Sequence, residues 1–313
     1  MQQIDRELIS AMTQAVGEHN IRFHEPMALH TTFRVGGPAD IFVIIKSKKA
    51  LITVLNLSLE NGLPYFILGK GSNLIVSDKG IRGLVISTLK MTNVQYYDDS
   101  VVAWSGYELW KLSQSTAARG LTGLEFACGI PGTVGGAVYM NAGAYDGEIS
   151  NVLTFSEVLK LDNSAPPGKM ADWHALEHED HDFSYRHSVF QDQDLIHLCS
   201  TFKLERIDKR KIKAKIIEFT RAREEKQPLE LPSAGSVFRR PEGFFVGKLI
   251  QDCDLKGFRI GGAAISEKHC GFIVNLGNAT SKDILALIEH VRNAVQQKFG
   301  VLLQTEVRFV GEK

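Results

Sequence analysis

Apolar residues recur along this chain in two rhythms, and the switching between them outlines its elements. A spacing of three and four places Leu8, Ile9, Met12 and Val16 on one side of a short helix within the first twenty residues. The same spacing predicts a helix over 48–61, with Leu51, Val54, Leu55 and Leu59 inward and Gly62 as its stop. Further helices are predicted over 108–119, closed by Gly120, over 207–226, with Ile212, Ile216 and Phe219 inward, and over 244–251. Thr280-Ser281-Lys282-Asp283 has the form of a capping box, which satisfies free N–H groups at a helix start. Ile284, Leu287, Ile288, Val291 and Val295 then share one face up to Gly300. Short apolar or alternating runs predict strands over 39–45, 64–68, 83–87, 94–97, 101–104, 195–204, 263–266, 272–275 and 301–310. The polar stretch 165–182, with Pro166-Pro167 and His174, His178 and His181, reads as an exposed insertion. The pattern is that of an α+β protein in three units: 1–87, 88–206 and 207–313.

Composition narrows the partners. Lys plus Arg and Asp plus Glu both number 36, so the formal net charge is zero. Such a chain has no global field to hold nucleic acid or an anionic membrane. Asp5, Arg6 and Glu7 interrupt the apolar core that a secretory leader requires, and no run reaches the ~18 apolar residues of a spanning helix. Cys128, Cys199, Cys253 and Cys270 are scattered without paired spacing, which predicts reduced thiols in a cytoplasmic protein. His174, His178 and His181 lie in the polar insertion, and no metal is expected there or elsewhere.

Candidate chemistry enters with the glycines. Eight of the 28 residues from Gly120 to Gly147 are glycine, although the whole chain has 28. Glycine this dense weakens regular structure, so it needs another reason. Gly129-Ile130-Pro131-Gly132-Thr133-Val134-Gly135-Gly136 runs on to Asn141-Ala142-Gly143, and Gly69-Lys70-Gly71-Ser72-Asn73 follows a predicted strand. Without Cβ atoms, such loops let backbone N–H groups approach phosphate oxygens. Each loop alone also reads as a tight turn between strands. Together, interleaved with hydroxyl and amide side chains, they favour a dinucleotide site. Neither is a Walker A loop, and Gly69-Lys70-Gly71 lacks the third glycine of the dinucleotide fingerprint.

These loops belong to a longer ordered set. Thr31-Thr32-Phe33-Arg34-Val35-Gly36-Gly37-Pro38-Ala39, Gly69 to Leu74, Gly129 to Gly136, Phe183-Ser184-Tyr185-Arg186-His187-Ser188, Gly235-Ser236-Val237-Phe238 and Glu306-Val307-Arg308-Phe309 follow one another from residue 31 to residue 309. The set resembles the UDP-N-acetylenolpyruvoylglucosamine reductases, in their short form, over nearly the whole chain. The resemblance implies a two-subdomain FAD-binding fold of the vanillyl-alcohol-oxidase (PCMH) type, plus a C-terminal α+β substrate-binding domain. It implies non-covalent FAD, reduced by NADPH. A hydride then passes to the vinyl carbon of UDP-N-acetylglucosamine enolpyruvate, and a proton to the neighbouring carbon. FAD contacts are implied at Thr32, Arg34, Gly69, Gly71, Ser72, Asn73, Leu74, Gly129, Ile130, Gly132, Thr133, Gly136, Asn141 and Gly143. A monomer is expected.

The reaction itself demands certain groups. Hydride addition to an enol ether bearing a carboxylate develops negative charge, which a fixed cation stabilises. Arg186 offers a planar fork for it, with Tyr185 beside it; the competing reading is a surface ion pair. Ser236 is the proton donor the resemblance implies; the competing reading is a turn hydrogen bond after Gly235. Glu306 is implied to assist protonation, and on a terminal strand it would share a face with Arg308; alternatively it is an exposed strand carboxylate. Arg239, Arg240 and Lys248 are the cations near enough in sequence to serve the diphosphate, Lys248 fitting the family pattern best. Arg239-Arg240-Pro241 replaces the commoner Lys-Asn-Pro, and Asp146 stands where a small residue is usual. Two other readings remain: a different FAD-dependent oxidoreductase of the same fold, acting on an alcohol or sugar, and a non-enzymatic nucleotide-binding module.

Overall fold

The computed structural model of the chain describes residues 6–162 and 164–312. Met1–Asp5, Asn163 and Lys313 lie outside the described residues, and with them the charged Asp5 weighed against a leader. The chain divides into two compact units. The first holds residues 6–23, 41–70 and 83–221, and the second holds 24–40, 71–82 and 222–312.

The first unit has two cores. In one, helix α1 (Arg6–Val16) buries Leu8 and Met12, and helix α2 (Lys48–Glu60) buries Leu51, Val54 and Leu55. They cover Ile41, Val43, Leu84 and Ile86, with Tyr65–Leu68 pairing in parallel with Leu84 to Ser87. Ser47 caps α2 by accepting from the Ala50 N–H at 3.2 Å, and Gly62 (φ 60°) follows its end. The other core lies against a five-stranded antiparallel sheet in the order Ala171–Glu177, Leu153–Leu161, Leu195–Lys203, Ser100–Trp104, Val94–Tyr96. Helices α3 (Leu109–Ala117) and α4 (Val134–Tyr139) bury Leu109, Leu112, Val134 and Val138 in that core. Helix α5 (Lys209–Lys226) is charged on most faces and fully buries only Ile212.

The polar insertion differs from its sequence reading. Ala171–Glu177 is a strand, pairing antiparallel with Leu153–Leu161. An edge strand needs one partner only, so its outer face stays polar and its pattern resembles a loop. His181, expected to be exposed, is fully buried.

In the second unit, a three-stranded antiparallel sheet orders Arg259–Ile260, Ala263–Ile265 and Ile273–Asn275. Helix α7 (Ser281–Phe299) lays Ile284, Leu287, Ile288, Val291 and Val295 into the core, beside Leu249 and Ile250 of helix α6 (Val246–Asp252). The capping box forms: Thr280 Oγ1 accepts from the Asp283 N–H at 3.1 Å, and Asp283 Oδ2 from the Thr280 N–H at 3.0 Å. A cap of this type contributes about 1 kcal/mol. The final strand is shorter than its apolar pattern suggests, covering only Arg308–Val310 in parallel with Leu74–Val76. Glu306 precedes it. The Val237 carbonyl takes the amides of both Glu306 (2.8 Å) and Val307 (3.4 Å), which breaks a regular ladder there.

Candidate functional site

In the first unit the two glycine loops meet. A Cβ on Gly69 would lie 2.6 Å from Thr133 Oγ1, so only glycine permits this approach. Thr133 caps α4, its Oγ1 accepting from the Gly136 N–H at 3.4 Å. The carbonyl of Gly132 and the amide of Val134 are spent on Leu109 and Tyr107. The N–H groups of Gly129, Gly132 and Thr133 find no acceptor among the described residues. Such donors suit an anion. Ile130 is half-buried and packs against the core below. Lys70 reaches Glu108 at 3.2 Å; hydrogen bonds from Lys111, then Trp110 and Lys70, hold the Glu108 carboxyl down at about 2.

Arg186 sits at the tip of a tight turn. Ser184 and His187 exchange both backbone hydrogen bonds (3.3 and 3.1 Å), leaving Tyr185 and Arg186 between them. Arg186 has φ 59°, in the left-handed region where the third turn position usually carries glycine. Strain of this kind persists where the surroundings enforce it. Here Gln191 Nε2 donates to the Arg186 and Tyr139 carbonyls, both at 3.0 Å, and buried Asn141 donates to the Ser184 carbonyl at 3.1 Å. The Arg186 guanidinium donates to the Gly143 carbonyl at 3.0 Å and lies 5.1 Å from the Tyr185 ring. Gly143 to Glu148, Asn151, Tyr185 and Arg186 line an open cavity of about 300 Å³. Asp146, with φ 62°, is on its wall.

The same unit holds a buried polar chain that the sequence did not reveal. His197 Nε2 bonds Ser200 Oγ at 2.6 Å, Ser200 Oγ bonds Ser156 Oγ at 2.7 Å, and Ser156 Oγ bonds His181 Nε2 at 2.7 Å. His181 Nδ1 donates to the Glu177 carbonyl at 2.7 Å. Burial lowers the pKa of both rings, that of His197 to about 3, so both are neutral at pH 7. With one proton per ring, each hydroxyl passes its donor toward His181, and His197 Nδ1 is left without a partner among the described residues. A bulge makes the chain possible. Glu157 pairs with Cys199 but Val158 pairs with His197, so Leu198 is the extra residue and His197 shares a face with Ser200. The three histidines of the insertion are spent separately, for His178 bonds the Leu153 carbonyl at 2.8 Å and His174 is exposed. Asp182, His187 and Asp192 place one donor atom each within 4.8 Å of one another, but both aspartates are exposed.

The second unit brings other segments together. A Cβ on Gly71 (φ 64°) would lie 2.2 Å from the His30 carbonyl oxygen, and the Gly71 carbonyl accepts from Thr32 N–H at 3.2 Å. Arg34 is exposed at φ 57°, with its amide on the Thr31 carbonyl. Thr32 Oγ1 is buried without a hydrogen-bond partner among the described residues, a cost that a bound polar group would relieve. Ser72, next to Gly71 in the chain, is half-buried, and Leu74 opens the strand opposite Arg308. Asn73 ties this loop to the Glu306 segment: its Nδ2 donates to the Glu306 carbonyl at 3.2 Å, and its carbonyl accepts from Arg308 N–H at 3.0 Å. Burial lowers the Arg308 pKa.

Gly235 (φ 76°) turns the chain into Ser236. That segment is held on both sides, by a bridge from Ser236 to Phe272 and one from Phe238 to Thr305. Ser236 and Glu306 therefore lie on neighbouring paired segments, both half-buried. Among the described residues, Ser236 Oγ donates only a long 3.3 Å bond, to the Phe238 carbonyl. Arg239 donates its amide to the Gln304 carbonyl at 2.9 Å, and Arg240 stacks 4.1 Å over the Phe245 ring. Lys248, exposed on α6, pairs with Asp252 at 2.5 Å. Arg186 belongs to the first unit, Ser236 and Glu306 to the second. Asn275 was not anticipated: it ends an apolar strand, is buried, and donates to the Phe33 carbonyl at 2.9 Å.

Comparison with known proteins settles the family. A family model described as UDP-N-acetylenolpyruvoylglucosamine reductase, C-terminal domain, matches residues 227–310, and one described as FAD binding domain matches 39–164. A UDP-N-acetylenolpyruvoylglucosamine reductase from Clostridium botulinum (strain Eklund 17B / Type B) is 49% identical over 286 residues, 91% of either chain. Another, from Clostridium botulinum strain Loch Maree, is 48% identical over 308 residues, 98% of either chain. The chain belongs to the UDP-N-acetylenolpyruvoylglucosamine reductase family. A solved structure of the family, from Thermus caldophilus, superimposes with a TM-score of 0.75 at 35% identity, over 91% of this chain and 97% of that one. The α+β fold is thus a FAD-binding domain of the vanillyl-alcohol-oxidase (PCMH) type with the family's C-terminal domain. FAD is the cofactor, and the unpaired loop amides of the first unit are donors of the kind its phosphates need. No helix among the described residues is long and apolar enough to cross a membrane.

Proposed function

We propose that the chain, like the relatives it resembles, reduces UDP-N-acetylglucosamine enolpyruvate to UDP-N-acetylmuramate, with NADPH as the electron source. When bound, FAD supplies the hydride transfer from NADPH to the terminal vinyl carbon. The carbon next to the carboxylate then carries negative charge, and Arg186 binds and stabilises that charge. The left-handed turn at Arg186, beside an open cavity, is the observation that carries this reading. Ser236 donates the proton to that carbon. Its hydroxyl has one long bond to give up, so little is lost when it turns to substrate. Glu306 orients substrate and assists the transfer. Tyr185, Arg239 and Lys248 hold the sugar diphosphate. The FAD contacts are the glycine loops with Ile130, Thr133 and Asn141 in the first unit, and Thr32, Arg34, Gly71, Ser72, Asn73 and Leu74 in the second. In this reading 1–87 and 88–206 are FAD-binding subdomains and 207–313 covers the substrate, in a cytoplasmic monomer.

The test is anaerobic and uses the yellow holoenzyme. NADPH should bleach it, and colour should return only on addition of the enolpyruvyl sugar. Return of colour with simple alcohols or sugars, and not with this substrate, would contradict the proposal.

A further inference from the structure

One imidazole near Ser236 has no part in the account so far. The turn joining Ala263–Ile265 to Ile273–Asn275 is tied by Ser266, whose Oγ accepts from the amides of Lys268 (3.1 Å) and His269 (3.3 Å). Ser266 N–H donates to the Phe272 carbonyl, and Phe272 N–H to the His269 carbonyl, both at 2.9 Å. The His269 ring folds back over this turn, edge-on to Phe272 at 5.0 Å, and its Nδ1 accepts from the Gly271 N–H at 3.1 Å. Desolvation lowers its pKa, so the ring is neutral at pH 7 with its proton on Nε2. Gly271 is held at its other end too, since its carbonyl accepts from Val237 N–H at 3.0 Å. A Cβ on Gly271 would lie 3.0 Å from His269 Cε1 and 3.5 Å from Ser236 Oγ. Imidazole and hydroxyl therefore border the same glycine with no side chain between them. A second glycine, Gly247, faces the same Cε1, at 3.7 Å from where its own Cβ would be.

We propose that His269 is a positioning residue for the proton transfer: by anchoring the Gly271 amide it fixes the neighbours of Val237 and Phe272, and so the direction in which the Ser236 hydroxyl points. The inference deepens, and rests on, the assignment of Ser236 as proton donor. A ring that only filled space would be replaceable by any ring of its size. A ring that supplies an acceptor is replaceable only by another acceptor. His269→Phe keeps the contact with Phe272 but gives the Gly271 N–H nothing to bond, whereas His269→Asn offers an oxygen close to the Nδ1 position.

The test uses FAD-loaded full-length enzyme without oxygen, following flavin absorbance through reduction by NADPH and then reoxidation by UDP-N-acetylglucosamine enolpyruvate at several concentrations. His269→Phe should slow the limiting reoxidation rate about ten-fold or more, the consequence of an unsatisfied donor. The half-saturating substrate concentration and the NADPH step should stay within about two-fold. His269→Asn should recover most of the lost rate, and His269→Ala should be rescued by added imidazole should the Phe variant not fold. Equal slowing of both half-reactions, an Asn variant as slow as Phe, or no imidazole rescue would each overturn the proposal. Ser236→Ala is run alongside: normal reoxidation in that variant would remove the Ser236 assignment itself, whereas slow Ser236→Ala with normal His269→Phe removes only the role of His269.

Discussion

The glycine loops of the first unit and the Ser236 segment of the second solve different problems by different means. The loops around Gly69 and Gly129 to Thr133 offer backbone amides, and their chemistry depends on side chains being absent. The Ser236 segment offers a hydroxyl, and its chemistry depends on strand-like partners far away in the chain, Phe272 on one flank and Thr305 on the other. A backbone site is set by which positions carry glycine and tolerates most side chains around them. A side-chain site is only as well placed as the long-range pairing beneath it. The first region should therefore fail through lost cofactor, and the second through lost chemistry with cofactor retained.

Ser236→Ala should produce the largest effect. Reoxidation of the NADPH-reduced enzyme by the enolpyruvyl sugar should fall about 10²–10⁴-fold, the usual worth of a placed acid, with bleaching unchanged. Normal reoxidation would move the acid elsewhere. Arg186→Gln, read in the same half-reaction, should cost about 10²–10³-fold, as removal of a fixed charge stabiliser does. A loss confined to flavin binding would place Arg186 with the cofactor instead. Glu306→Gln should be milder, about 10–10²-fold, because it assists the acid and leaves it in place.

Glycine substitutions probe the backbone-built kind of site, here at the Gly71 loop of the second unit. Gly71→Ala puts a methyl 2.2 Å from the His30 carbonyl, and flavin dissociation measured by fluorescence should rise at least about ten-fold. Gly62→Ala is the matched control: its φ is 60° but nothing lies within 4 Å, so it should cost about 1 kcal/mol of stability and leave flavin affinity alone. Equal flavin loss in both would mean that backbone strain alone, not the close approach, governs the loop.

The buried histidine chain bears on stability and leaves the reaction alone. The folded-state pKa of His197, about 3, lies below the usual unfolded value of about 6.5. Above the unfolded value both states are neutral and stability is flat. Below it the unfolded chain takes up a proton that the folded chain refuses. Stability should then fall by about 1.4 kcal/mol per pH unit from this group until the pH nears its folded value. Denaturant midpoints measured downward from neutral pH should fall less steeply in His197→Gln than in the parent; identical slopes would contradict the burial argument.

Much of this contrast was legible in the residues. The loops announced themselves by glycine density, and Thr280 with Asp283 announced the start of α7, because both signals are local. The helical faces of α1, α2 and α7 were equally readable from spacing. What stayed hidden depends on pairing across the chain. Ala171–Glu177 looks like a loop because an edge strand keeps a polar face, and His181 looks like a surface residue until Ser156 is placed beside it. Val301 to Val307 looks like a strand until the Val237 carbonyl takes two of its amides. Nothing in Tyr185-Arg186 foretells a left-handed arginine, since the residue usual at that turn position is glycine. His269 and Asn275 gave no signal because a lone polar residue beside an apolar strand has many bland explanations.

The central claim is that Arg186 and Ser236 serve one chemical step. It is tested most directly by single-turnover reoxidation of Arg186→Gln, Ser236→Ala and the double variant, all reduced with NADPH and mixed with the enolpyruvyl sugar. Residues acting as a unit are strongly non-additive, so the double variant should be about as slow as the slower single one. Losses that multiply across the two substitutions would show that the arginine and the serine act on separate steps, and would contradict the account.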